Sequence, residues 1–378
     1  MPPLVGAVLA ILLIGLLFQR LGQPHVVGYL LGGVLLGPHG LALVTDEAML
    51  THLGSLGVIF LLFFVGMEVS PARLVRGWKI SVIGTLFQIV VSVGCVWLLG
   101  QWLGWSLHRI ILIGFVISLS STAVVLKVLQ DWKELDTEVG EEVLGILLMQ
   151  DLAVIPMLII VSTLGGETIS ASAIGLQITG GALILGLLIW LLSRDQISIP
   201  ILQVVRKDHE MQVFAALAIC FGLSLLTALF GLSSALGAFV AGIVIAAAKE
   251  TQWVHNALEP FRVVFIALFF VSIGMLVDLN FLYTHWMQAG LLVLAVLLTN
   301  MFINAVILRI LGEDWRDSLY AGALLSQIGE FSFVLAAVGI QAAIITKYSY
   351  QMTLAIISLS LLLSPVWIRM VKWSLSRP

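Results

Sequence analysis

The chain has 378 residues, of which 60% are hydrophobic and only 10% charged, and its mean hydropathy is +1.13; this excludes an ordinary soluble domain and points to an all-α protein that crosses the membrane many times. A net charge of −3 with no block of like charges offers no surface for a nucleic acid. The two cysteines, Cys95 and Cys220, fall inside apolar runs and imply no disulfide scaffold.

A helix needs about 20 residues to cross the hydrocarbon. By that measure the sequence predicts thirteen spans, near 2–19, 26–44, 52–68, 78–102, 108–130, 139–164, 170–192, 212–230, 233–248, 258–277, 286–310, 317–342 and 350–373. The first apolar run lacks a basic flank and is followed by further hydrophobic segments, so it reads as a span rather than a secretory leader. With the N-terminus outside, 16 of the 18 lysines and arginines fall on the cytoplasmic side, leaving only Arg109 and Lys347 outside. The expectation is a multi-pass protein of the cell membrane, N-terminus out and C-terminus in.

Three spans carry polar residues that need an explanation. The fifth holds "SLSST", with hydroxyls at Ser118, Ser120, Ser121 and Thr122. In an intact helix such hydroxyls bond to the preceding turn; alternatively the helix breaks there, which a membrane tolerates where the unwound backbone is buried in protein or lines a cavity. The sixth span reads "LLMQDLAVIP", and Asp151 is the sole charge between Val143 and Leu164. A carboxylate at such a depth costs about 2.5–3.5 kcal/mol on insertion scales, and no lysine or arginine lies mid-span to pair with it. Gln150 points about 100° away around the helix, placed to brace a broken helix or to reach an ion through water. Pro156 lacks an amide hydrogen, which leaves the carbonyl of Leu152 as a candidate second ligand. The twelfth span contains "SQIGEFS", with Gln327, Gly329 and Glu330. Glu330 reads as a counter-charge to the positive N-terminal end of a half-helix.

The two halves repeat. "GYLLGGVLLG" (Gly28 to Gly37) and "GAFVAGIVIA" (Gly237 to Ala246) carry small residues at the same four places, and "GMEV" at Gly66 is matched by "GMLV" at Gly274. The offset is about 208 residues and seven spans, an odd number, so the repeat is inverted in the membrane. It predicts repeat one over about 1–164, a linker helix over about 170–192 and repeat two over about 212–373. The same offset carries Ser118 and Ser121 onto Ser326 and Gly329, so a pair of broken helices is expected, one in the fifth span and one in the twelfth.

Taken together, "GYLLGGVLLGPHGL", "LFFVGMEVSP", "LSSTAVVLK", "LLMQDLAVIPML" and "SQIGEFSFVL" resemble the membrane domain of the cation:proton antiporter-2 family, and within it the Kef-type potassium efflux antiporters. The resemblance implies an antiporter fold, a homodimer, a dimerisation domain and a moving core domain in each protomer with the broken fifth and twelfth spans crossing in the core, and Asp151 as the carboxylate that exchanges cation for proton. It places Gln150, Ser121 and Thr122 with Asp151 in the ion-binding set, and Ser118, Ser120, Gln327, Gly329, Glu330 and Pro156 in the broken-helix and charge-balance set. Potassium or sodium and a proton are the implied transported species, with no cofactor. Electrogenic sodium–proton relatives carry Asp-Asp or Asn-Asp at this place; Gln-Asp therefore points to potassium and one proton per cycle, with sodium as the alternative. Kef proteins carry a cytosolic nucleotide-binding domain, whereas this sequence has no strand-embedded G-x-G-x-x-G. Regulation is expected from a separate subunit or a C-terminal domain outside this chain.

The rival from another class is a gated potassium channel, which needs a continuous pore lined by carbonyl rings; an inverted repeat with one buried carboxylate favours alternating access. An enzyme is not expected, since the seven histidines lie in loops or at span ends without metal-ligand spacing.

Overall fold

The computed structural model describes residues 25–43, 47–68, 79–165, 171–192, 208–232, 234–248 and 252–375, with scattered positions between 9 and 20. The expected first span lies largely outside these residues, as do Arg73, Arg76, Arg194, Arg206, Lys207, Lys249 and Arg377 of the charge-bias argument. Among the described residues the chain is helical, with no β-strand. The helices are α1 (His25–Leu36), α2 (Glu47–Glu68), α3 (Thr85–Trp102, entered through a π-helical turn at Lys79–Gly84), α4 (Leu107–Ser118), α5 (Thr122–Trp132), α6 (Glu138–Leu164), α7 (Ala171–Leu192), α8 (His209–Leu229), α9 (Ser234–Ala247), α10 (Gln252–Leu276), α11 (Leu279–Thr284), α12 (Trp286–Leu311), α13 (Trp315–Leu324), α14 (Phe331–Gln341) and α15 (Lys347–Leu375).

Five described stretches are long and apolar enough to cross a membrane, namely Ile80–Trp102, Glu138–Leu164, Glu210–Leu229, Trp286–Leu311 and Lys347–Leu375. Large apolar side chains on them stand open, such as Leu98 at 66% and Leu291 at 63% exposure, as lipid contact allows and water does not. The helices depart from the expected spans at some boundaries and carry both expected breaks. The second span ends as a helix at Leu36, where Gly37-Pro38 turns the chain. The fifth is two half-helices, α4 and α5, and the twelfth is likewise α13 and α14.

The chain forms two compact units. The first comprises Met1–Asp46, Arg73–Met157 and Phe270–Pro378; the second comprises Glu47–Ala72 and Leu158–Phe269. In the second, α9 packs against α2, α8 and α7, and Phe60 of α2 stacks on Phe265 of α10 with ring centroids 3.7 Å apart. In the first, α3 packs on α4 and α12, α12 on α13 and α15, and α14 on α4.

One contact recurs in both units. In the first, a Cβ on Gly33 would collide with the carbonyl of Val271 and lie 3.0 Å from Gly274 Cα, while one on Gly274 would collide with the carbonyl of Leu30. In the second, a Cβ on Gly242 would collide with the carbonyl of Phe63 and lie 2.8 Å from Gly66 Cα, while one on Gly66 would collide with the carbonyl of Phe239. Shifting by 208 or 209 residues turns Gly33 into Gly242, Leu30 into Phe239, Phe63 into Val271 and Gly66 into Gly274. The α1–α10 crossing and the α9–α2 crossing are thus one arrangement used twice, with glycine letting two backbones touch.

Candidate functional site: two crossing helix breaks beside Asp151

A helix ends with four carbonyls that have no partner in the helix. At the end of α4 each has acquired a donor. Ser118 Oγ donates to Phe115 O at 2.9 Å, Ser332 Oγ to Val116 O at 2.7 Å, Asn300 Nδ2 to Ile117 O at 2.8 Å and Gln88 Nε2 to Ser118 O at 3.0 Å. Leu119 and Ser121 are then extended (φ −93°, ψ 126° and φ −85°, ψ 113°), and α5 starts at Thr122 with the Ser121 hydroxyl accepting from Val124 N. The hydroxyls of "SLSST" therefore replace helix hydrogen bonds, which lets the span stay buried while unwound.

The second break crosses the first. Gly329 N donates to Leu119 O at 2.8 Å, Ser120 Oγ donates to Leu325 O at 2.7 Å, and Gln327 Nε2 lies 3.5 Å from Ser121 O. A Cβ on Gly329 would collide with the Ser120 carbonyl and lie 2.9 Å from Ser121 N. Ile328 N donates to Ser360 Oγ at 3.2 Å, and Asn300 Nδ2 reaches Ser326 O at 3.2 Å. Glu330, 5% exposed, occupies the position immediately before α14. Gln327 is fully buried, and its Oε1 accepts no hydrogen bond.

Asp151 is 3% exposed. Thr122 Oγ1 lies 3.1 and 3.3 Å from its two carboxylate oxygens, so the carboxylate sits at the first residue of α5, the positive end of that half-helix. Gln150, next along α6, faces the other side of the break: Ser120 N donates to its Oε1 at 2.8 Å, and its Nε2 donates to Gln88 Oε1 at 2.7 Å. The adjacent amide and acid thus hold residues 120 and 122. Pro156 is not brought to this cluster. It stands exposed about 140° around the helix from Asp151, and the Leu152 carbonyl that it leaves without a helix partner shares that face.

Sequence reasoning missed Gln88, Asn300 and Ser360. Their signal was present in "TLFQIVV", "LLTNMFIN" and "ISLSLLLS", where amides and hydroxyls in an apolar helix must find partners. The ligand atoms that Asp151 and Thr122 offer one another are oxygens. Such a set suits a proton or a hard cation rather than a soft metal. A separate acidic trio, Glu138, Glu142 and Glu313, brings carboxylate oxygens within 4.8 Å of one another, but Glu142 is about 13 Å from Asp151 along α6.

Residues 7–373 match the family model described as "Sodium/hydrogen exchanger, transmembrane". The chain belongs to the sodium/hydrogen exchanger family. As a member of that exchanger family it is a multi-pass membrane transporter, not an enzyme, and exchanges a cation for a proton. It is 38% identical over 360 residues to the iron transporter MagA of Paramagnetospirillum magneticum, covering 95% of this chain and 83% of that one. It is 33% identical over 365 residues to K(+) efflux antiporter 5 of Arabidopsis thaliana and 32% identical over 362 residues to the glutathione-regulated potassium-efflux system protein KefC of Salmonella heidelberg. Of those two relatives the exchanger chain spans 64% and 57% of the length. The sodium proton antiporter MjNhaP1 of Methanocaldococcus jannaschii, solved at pH 8, superposes with a TM-score of 0.73 at 18% identity, covering 100% of this chain and 99% of that one. The shared fold is therefore the antiporter fold that the family resemblance implied.

Proposed function

We propose that the chain exchanges potassium for one proton by alternating access, the two competing for Asp151. The observation that carries this reading is the buried Asp151 carboxylate against the Thr122 hydroxyl at the first turn of a half-helix. One carboxylate among neutral oxygens is neutralised by one proton or one monovalent cation. A bare carboxylate pays heavily for crossing a low-dielectric barrier, so the core moves in either loaded form and stalls empty. Moving a net charge through the membrane potential is worth about 2.3 kcal/mol per 100 mV; exchange that is neutral escapes this term. Glu330 at the start of α14 keeps a constant charge and stays outside the stoichiometry.

Potassium rather than sodium is favoured by the names of two relatives, both potassium-efflux proteins, and by Gln150 in place of a second acid. Iron, the cargo named for the relative MagA, suits imidazole and thiolate donors better than this all-oxygen cluster. The chain works as a homodimer, with its C-terminus in the cytoplasm.

The test is Asp151→Asn in proteoliposomes, with cation-driven proton flux measured for potassium and sodium while the membrane potential is clamped. Loss of exchange in an inserted, folded variant supports the carboxylate; ordinary exchange by that variant sinks it. A reversal point for the native chain that moves with voltage would show net charge movement and bring a second titrating group into the cycle.

A further inference from the structure

The amide beside Asp151 is held in one orientation by a residue on another helix. A glutamine side chain presents its nitrogen and oxygen in either order, and a single contact leaves the order open. Here a chain of three bonds begins and ends on main-chain atoms whose roles are fixed. Ser120 N, which only donates, bonds to Gln150 Oε1 at 2.8 Å; Gln150 Nε2 bonds to Gln88 Oε1 at 2.7 Å; Gln88 Nε2 bonds to Ser118 O, which only accepts, at 3.0 Å. Reversing either amide would set oxygen against oxygen or nitrogen against nitrogen. Both glutamines are 1% exposed, so neither has water to turn to.

We propose that Gln88 is a positioning residue for cation binding. It touches neither cation nor carboxylate. It orients Gln150, Gln150 holds Ser120, and two residues on the Thr122 hydroxyl is thereby kept against Asp151. Gln88 also holds the last carbonyl of α4, so it grips the break from both sides, at Ser118 directly and at Ser120 through Gln150. Removing it deprives Ser118 O of its side-chain donor and leaves Gln150 Nε2 only a 3.5 Å contact with Ser120 Oγ, so Gln150 loses its anchor on α3. The carboxylate itself is left intact, so the expected loss is in cation affinity and not in turnover once the site is full. The proposal rests on the reading of Asp151 as the exchanging group.

The test compares the native chain, Gln88→Met, Gln150→Met and the double variant in proteoliposomes, with KM for potassium separated from the maximal rate. A lost buried hydrogen bond of this kind is expected to raise KM about tenfold in each single variant. The maximal rate of Gln88→Met should stay within about threefold of native, since Gln88 touches neither cation nor carboxylate. In the double variant KM should exceed that of the worse single by no more than about threefold, because both changes cut one relay. Should Gln88→Met yield too little protein, Gln88→Asn serves, its amide one methylene too short to reach both partners. An unaltered KM, a fall in maximal rate with KM unchanged, or fully multiplicative effects in the double variant each overturns the role of Gln88. Exchange that survives Asp151→Asn removes the underlying reading instead, so the two failures are told apart.

Discussion

Asn300 and Ser326 are joined by a 3.2 Å hydrogen bond, and the same side-chain nitrogen holds the carbonyl of Ile117 at 2.8 Å. One amide on the long helix α12 thus caps the carbonyl-bearing ends of both α4 and α13, where two negative helix ends approach each other. Asn300→Leu should cost about 2–4 kcal/mol, because two buried carbonyls lose their donor. Asn300→Asp should be worse, since it places an acceptor against both. Thermal unfolding of the purified variants in detergent checks the order, and an Asp variant as stable as Leu would remove the capping role.

The Thr122 hydroxyl meets the Asp151 carboxylate at 3.1 and 3.3 Å. Thr122→Ser keeps that group and should exchange nearly as the native chain does. Thr122→Val keeps the shape and should weaken cation affinity about tenfold or more, a hydrogen bond to a charged group being worth about 1.5–3 kcal/mol. Equal KM values in the two variants would contradict the contact.

Gly329 is where the two breaks lie closest, and a Cβ there would meet the Ser120 carbonyl. Gly329→Ala should force the crossing apart and reduce exchange by about tenfold or more, with overpacking of about 1–3 kcal/mol in stability. Gly94→Ala is the control. Gly94 lies in α3 with nothing within 4 Å of an added Cβ, so that change should stabilise by about 0.5–1 kcal/mol.

The recurring glycine crossing makes a paired prediction. Gly274→Val and Gly242→Val each push a side chain into a backbone in the same arrangement, so the two should destabilise by similar amounts, about 1–3 kcal/mol or more. Calorimetric unfolding of the two variants would refute the equivalence if one were silent.

Much of this was readable beforehand because polar groups in apolar helices stand out. Asp151 and Gln150 announced themselves as the polar pair between Val143 and Leu164, and the hydroxyls of "SLSST" marked a break that the helix ends at Ser118 and Thr122 reproduce. The repeat was legible because backbone contact requires glycine at fixed places. Boundaries were less so: α1 stops eight residues short of its expected end at 44 because Gly37-Pro38 turns the chain, and α10 starts at Gln252, since "QWVHNA" is polar yet helical. Pro156 was read by its chemistry without its direction, and direction removed it from the cluster. Gln88 and Asn300 were hidden for another reason. A lone amide in a span declares that it needs a partner, but the partner's identity depends on how distant helices meet.

An unwound stretch inside a membrane helix is usually pictured as a soft joint. Here the amide hydrogens of Ser120, Ile328 and Gly329 are all bonded, to Gln150, Ser360 and Leu119. In deuterated buffer these three amides should therefore exchange as slowly as the interior of an intact helix, because each opens only when a bond to another element is broken. The crossing behaves as a rivet instead of a hinge. On the proposed alternating access, the movement that exposes Asp151 to one side and then the other has to bend outside this crossing and take α4, α5, α13 and α14 along as one piece.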